Sequence, residues 1–133
     1  MLGELVSDGK GKRTCRRVLC VEPHFKVEVS FEEMGAVFGA PGVNIGTYTS
    51  TTKPDGSLDG EGMGVFATLE GDLITWKALA SGWFGEGGSV SYRGSISYNT
   101  TSPKFARLNR VAGVFEFEGD AAGNTASKVW EWK

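Results

Sequence analysis

The sequence predicts an all-β protein: an antiparallel up-and-down meander of about eight strands that closes into a barrel. Three observations predict it. Apolar and polar residues alternate over short runs, tight-turn signals separate those runs, and 20 glycines stand against only 4 prolines without any repeat period. Alternation with a period of two lays one face of a strand on a core. Glycine without proline or periodicity suits tight turns and strongly bent strands. Closure of such a meander removes its exposed edges.

The 133 residues form one domain, 1–133, large enough to bury a core without staples. A formal net charge of −2 argues against a protein whose main partner is nucleic acid or an anionic membrane. No apolar run approaches the length of a membrane span. Met1-Leu2-Gly3-Glu4 has neither the basic nor the apolar part of a secretory leader. Cys15 and Cys20 fall at odd spacing on one strand, so their side chains point to opposite faces and are poorly placed to bridge. The expectation is a cytoplasmic protein in a reducing compartment.

From Glu4 to Glu22 a weak strand carries a basic patch, Lys10, Lys12, Arg13, Arg16 and Arg17. No aromatic residues interleave with these charges as single-strand nucleic-acid binders require, so the patch reads as a solvated edge. Glu22-Pro23-His24-Phe25 is a turn. The strand from Lys26 to Phe38 puts Val27, Val29, Phe31, Gly35 and Val37 on one face, with Glu33 as an intruder. Ala40-Pro41-Gly42 is expected to break the chain before a Thr-rich strand, Val43 to Thr52. Lys53-Pro54-Asp55-Gly56 is a strong turn signal, because proline presets one dihedral and glycine permits positive φ.

The central hairpin spans Pro54 to Phe84. A two-residue turn at Gly71-Asp72 pairs Leu69 with Ile74, Ala67 with Trp76, Val65 with Ala78 and Met63 with Ala80, all on one expected core face. Gly60, Gly62 and Gly64 then lie on the opposite face, together with Phe66. Beyond Gly85-Glu86-Gly87-Gly88, the strand Val90 to Thr100 sets Val90, Tyr92, Ile96 and Tyr98 against Ser91, Arg93, Ser95, Ser97 and Asn99. Arg93 reads as a surface ion-pair partner. Ser102 to Leu108 suits one helical turn, with Pro103 in first position. The last hairpin, Val111 to Asp120 and Thr125 to Trp132, is expected to place Phe115 opposite Trp130 and Phe117 opposite Lys128.

The runs GTYTSTTKPDGSLDGEGMGVF, SYRGSISYNTTSP and LNRVAGVFEFEGDAAGNTASKVWEWK resemble a family of small uncharacterised prokaryotic proteins. The resemblance covers the chain from about Gly46 onward, and the terminal Val-Trp-Glu-Trp-Lys is its most specific part. The meander is also similar to the allene oxide cyclase and dirigent barrels. What these resemblances imply is a barrel; no catalytic residue comes with them.

The usual catalytic and cofactor motifs are missing: no zinc-like Cys/His spacing, no nucleotide-binding glycine motif and no nucleophile elbow. No metal or cofactor is expected. Candidate site residues are instead polar groups in phase with apolar neighbours. Glu33, Glu61 and Lys128 each interrupt a hydrophobic face, and a buried charge must pair, reach water or shift its pKa. With Tyr92 and Phe117 they describe a ligand pocket at one barrel mouth. The function expected is binding of a small apolar or amphipathic molecule. The alternatives are a cyclase- or isomerase-like enzyme that shapes its substrate, and a homo-oligomer assembled through Phe66 and Trp83 on the outer face.

Overall fold

The computed structural model describes residues 1–133 and contains strands β1 (Leu2–Cys20), β2 (Lys26–Val37), β3 (Ala40–Thr52), β4 (Leu58–Thr68), β5 (Leu73–Phe84), β6 (Val90–Asn99), β7 (Ala112–Gly119) and β8 (Asn124–Trp132). Each strand pairs antiparallel with the next, and β8 pairs back onto β1, so the meander closes as a barrel. The helical turn near 102–108 is a 3-10 segment, Pro103–Arg110. Ser102 does not cap it; its hydroxyl donates to Asp72 Oδ1 at 2.8 Å and ties the segment to the β4–β5 loop.

Three hairpin loops share one geometry. In Pro54–Gly56, Leu69–Gly71 and Ala121–Gly123 the last residue is a glycine with φ of 87°, 96° and 90°. Each glycine N–H donates back to the carbonyl of Lys53, Thr68 or Asp120, at 2.9, 3.0 and 3.1 Å. This is a three-residue loop whose closing position is left-handed, a conformation glycine adopts without strain.

That loop corrects the expected register of the central hairpin. With Leu69–Gly71 forming the turn, Phe66 faces Ile74, Gly64 faces Trp76 and Gly62 faces Ala78. The β5 face keeps its expected direction, with Ile74, Trp76 and Ala78 buried. The β4 face turns over. Leu58, Gly60, Gly62, Gly64 and Phe66 point inward, and Met63 is exposed on the outside. The last hairpin is corrected for the same reason: Phe115 faces Val129, Glu116 faces Lys128 and Phe117 faces Ser127. Moving the register by one residue sends Lys128, Trp130 and Trp132 to the outer face. Between β2 and β3 the turn lies at Phe38 and Gly39, both with positive φ, and Ala40-Pro41-Gly42 begins β3 instead of breaking the chain.

β1 is longer than its neighbour: β8 pairs with it only as far as Lys12, while β2 follows it to Cys20. The overhang carries Arg13, Arg16 and Arg17 on a strand with one unpaired edge, where solvated charge discourages edge-to-edge association. Arg17 pairs there with Glu28 at 3.3 Å. Both cysteines are free thiols.

The interior is packed in two layers. At the lower end Phe105 and Leu108 of the 3-10 segment plug the barrel against Val6, Val37, Phe66, Ile74, Val111 and Val129. A bulge between Leu5 and Ser7 lets Val6 enter this layer. Nearer the other end, Phe31, Leu58, Trp76, Ala78, Tyr92 and Phe117 form the second layer.

Candidate functional site

Between these layers lies a cavity of about 90 Å³ with walls that include Tyr48, Ile96, Trp76, Tyr98, Phe115 and Ser127. Its shape follows from glycines. A Cβ on Gly46 would come within 2.6 Å of Phe31 Cζ and 2.7 Å of Trp76 Cζ2, and one on Gly60 within 2.9 Å of Tyr92 Cε1. Inward-facing strand positions without side chains are thus the seats on which the large rings lie. Trp76 is held in its seat by Nε1, which donates to Asn44 Oδ1 at 2.8 Å.

Four rings stand across the upper end. Phe31 and Phe117 lie 5.0 Å apart between centroids, Tyr48 and Tyr92 5.5 Å, and Tyr48 and Phe117 5.6 Å. The tilted and edge-on angles are those favoured by aromatic quadrupoles. Tyr92 Oη donates to Ser50 Oγ at 2.6 Å, which fixes one side of this lid. Burial and the neighbouring Tyr92 push the Tyr48 hydroxyl well above its ordinary pKa, with Arg13 and Arg16 at the rim offsetting part of the rise. Burial likewise pushes Tyr98 up to about 12. Both hydroxyls therefore remain protonated near neutral pH.

Glu33 is the buried carboxyl of the barrel, 1% exposed. It accepts hydrogen bonds from Thr125 Oγ1 at 2.8 Å and Ser127 Oγ at 2.6 Å. Burial raises its pKa, and the two hydroxyl donors offset part of that rise. Gly9 makes room for it, since a Cβ there would meet Glu33 Oε1 at 2.9 Å. A carboxyl whose pKa is raised on folding binds its proton more tightly in the folded state. Its contribution to stability is thus greatest below the unfolded carboxylate pKa and declines as pH rises through the folded value. The variant Glu33→Gln keeps the shape without the charge. Urea unfolding from pH 4 to 8 is expected to show it gaining stability relative to wild type as pH rises; parallel profiles would remove the buried-carboxyl account.

Of the residues expected at the site, Tyr92 and Phe117 line the cavity, and Glu33 is buried inside the barrel without lining it. Glu61 borders the cavity but belongs to the outward face opposite Thr49 and Leu79 and is exposed. Lys128 is also outward and exposed, opposite Glu116 and Asp8. Lys128→Met is expected to leave thermal stability within about 0.5 kcal/mol of wild type. Phe66, expected outside, is 5% exposed and packs in the lower layer, because the β4 register differs. Trp83 is on the outer face, 47% exposed, with the Arg93 guanidinium 5.4 Å from its ring centroid. Arg93 also pairs with Glu118 at 2.7 Å, the surface role expected of it. Tyr48, Tyr98, Asn44 and Ser127 were not singled out from the sequence as site residues. The available signal was the row of alternate glycines, which marks where rings from other strands must lie.

The barrel has solved counterparts. A protein of unknown function from Clostridium acetobutylicum superposes with a TM-score of 0.84 at 12% identity, covering 98% of both chains. A conserved protein of unknown function from Rhodopseudomonas palustris gives 0.82 at 12% identity, covering 98% of this chain and 97% of its own. A β-barrel-like protein from Acinetobacter baumannii gives 0.82 at 11% identity, covering 98% and 94%. At such identities the likeness establishes the fold alone. No protein-family model and no curated protein matches the chain. These three neighbours are small bacterial proteins, two of them of unknown function and the third β-barrel-like. No group of three or more His, Cys, Asp or Glu side chains is placed to hold a metal ion, and no helix is long and apolar enough to cross a membrane.

Proposed function

We propose that this barrel binds a small apolar or amphipathic molecule in the cavity between the 3-10 plug and the aromatic lid. The observation that carries the reading is the cavity itself. Gly60 and Gly62 lie in its wall, where an added Cβ would press on Tyr92 or on Tyr48 and Trp76, so the glycines set the positions of the rings that bound it. Few polar groups line it, which is how small-ligand sites combine affinity with orientation. Its 90 Å³ is below the roughly 150 Å³ of an engineered apolar cavity that admits benzene, so the buried part of the ligand is compact. Arg13 and Arg16 at the rim suit a molecule with a polar end.

Native mass spectrometry of freshly purified protein is expected to show an added mass that disappears on denaturation. Bare protein, together with no change in tryptophan fluorescence across a panel of compact apolar molecules, would overturn the proposal. An isomerase- or cyclase-like activity would use the same cavity, and conversion of the captured molecule to a product of different fragmentation would reveal it.

A second reading, self-association, is favoured by the outer wall. Ile45, Met63 and Leu79 are exposed on neighbouring strands β3 to β5, and Met34 lies on β2 beside them. Contiguous exposed apolar side chains mark interaction surfaces. Light scattering on Met63→Lys decides it: an oligomer that becomes a monomer supports the reading, and a wild-type monomer ends it.

A further inference from the structure

Tyr98 Oη is the one fully buried side-chain polar atom that has no hydrogen-bond partner. The Tyr98 ring lines the cavity, and so does Ser7, whose hydroxyl lies near enough to lower the Tyr98 pKa as a hydrogen-bonding neighbour does but outside hydrogen-bond geometry. Leaving a hydroxyl unsatisfied in an apolar interior is costly, so such a group calls for an explanation.

Two of the other polar groups of the wall are committed. Ser127 gives its proton to Glu33, and Asn44 Oδ1 receives the Trp76 indole N–H. The Tyr98 hydroxyl, held protonated by its burial, is a donor without an acceptor. No lysine or arginine lines the cavity.

We infer that the cavity takes an uncharged, compact ligand bearing a carbonyl-type oxygen, and that Tyr98 Oη donates a hydrogen bond to that oxygen beside Ser7. This rests on the binding function proposed above and names its ligand class. The ligand supplies the acceptor that the folded chain lacks, so discrimination comes from a polar group that an apolar isostere leaves unpaired.

The test uses two probes of the same shape, cyclobutanone and methylenecyclobutane, which differ only in an oxygen against a CH2. Binding to the full chain is followed by NMR titration of the cavity-lining Trp76 indole and Ile96 methyl signals. Tyr98→Phe is expected to weaken cyclobutanone roughly five- to tenfold and to leave methylenecyclobutane within about twofold, the scale of one hydrogen bond. Ser7→Ala is expected to keep the preference for the ketone. Equal effects on both probes, no effect on either, or loss of the preference in Ser7→Ala would each overturn the inference while leaving a binding cavity intact. Failure of both probes to bind wild type, with no captured mass in native spectra, would overturn the binding function as well. Should Tyr98→Phe not fold, the carbonyl carbon of labelled cyclobutanone bound to wild type decides. A shift downfield of its value in cyclohexane supports the donor, and a cyclohexane-like value refutes it.

Discussion

Replacing Phe66 with alanine is expected to lower the unfolding free energy by about 3–5 kcal/mol, the usual cost of deleting a buried phenylalanine ring. The ring packs in the lower layer with Val37, Ile74 and the plug residues Phe105 and Leu108. It also lies over Gly42, where a Cβ would come within 2.7 Å of Phe66 Cε1. Removing it leaves a void between strand wall and plug that neither can close, since both are fixed by hydrogen bonds such as Ser102 to Asp72. Urea denaturation measures the loss. Had Phe66 been on the outer face, the same substitution would fall within about 0.5 kcal/mol of wild type. An effect of that size would therefore contradict the β4 register, and with it the inward direction of Gly60, Gly62 and Gly64.

That register is where reasoning from sequence and the fold part company. β6 was legible because its faces differ in kind: Tyr92, Ile96 and Tyr98 inside, Arg93, Ser95 and Ser97 outside. β2 was legible for the same reason, down to Glu33 as the intruder. β4 inverts the usual signal. Its inward positions are largely glycine, and its apolar Met63 and Val65 face out. Hydrophobic alternation then points the wrong way, and only the left-handed Gly71 that closes a three-residue loop sets the parity. β7 and β8 have apolar residues on both faces, with Phe117 and Val129 inside and Val114 and Trp130 outside, so alternation does not choose and the loop decides.

Which candidate residues face inward was legible to the same extent. Glu33, Tyr92 and Phe117 stand in phase with their strands, and strand phase survives folding. The partners of Glu33 are 92 and 94 residues away, on a strand that reaches it only through barrel closure, so no local pattern announces them. Glu61 and Lys128 lie on the outward face for one reason: each was given an inward face by a hairpin register, and both registers moved by an odd number of residues. Charges assigned to an interior by pairing inherit every error in the turn.

Gly64→Ala is expected to destabilise the protein by about 1–3 kcal/mol, whereas Gly62→Ala, two residues away on the same inward face, is expected to stay within about 0.5 kcal/mol of wild type. In extended backbone a glycine-to-alanine change stabilises by about 0.4–1 kcal/mol through the unfolded chain. At Gly64 the new methyl overlaps Trp76 Cζ2 and sits 2.5 Å from the carbonyl oxygen of Ile45, and a strand carbonyl cannot move aside. The strain outweighs the entropic gain. At Gly62 the nearest atoms are Tyr48 Cβ at 3.2 Å and Trp76 Cζ3 at 3.4 Å, a tight contact that small side-chain shifts relieve, so the two effects nearly cancel. Gly62 also lines the cavity, and the shifts of Tyr48 and Trp76 that the added methyl requires reshape its wall. Gly62→Ala should therefore remain folded by circular dichroism while the mass captured in native spectra falls. A variant that keeps both its stability and its full ligand occupancy would show that the space above Gly62 is not where the ligand sits.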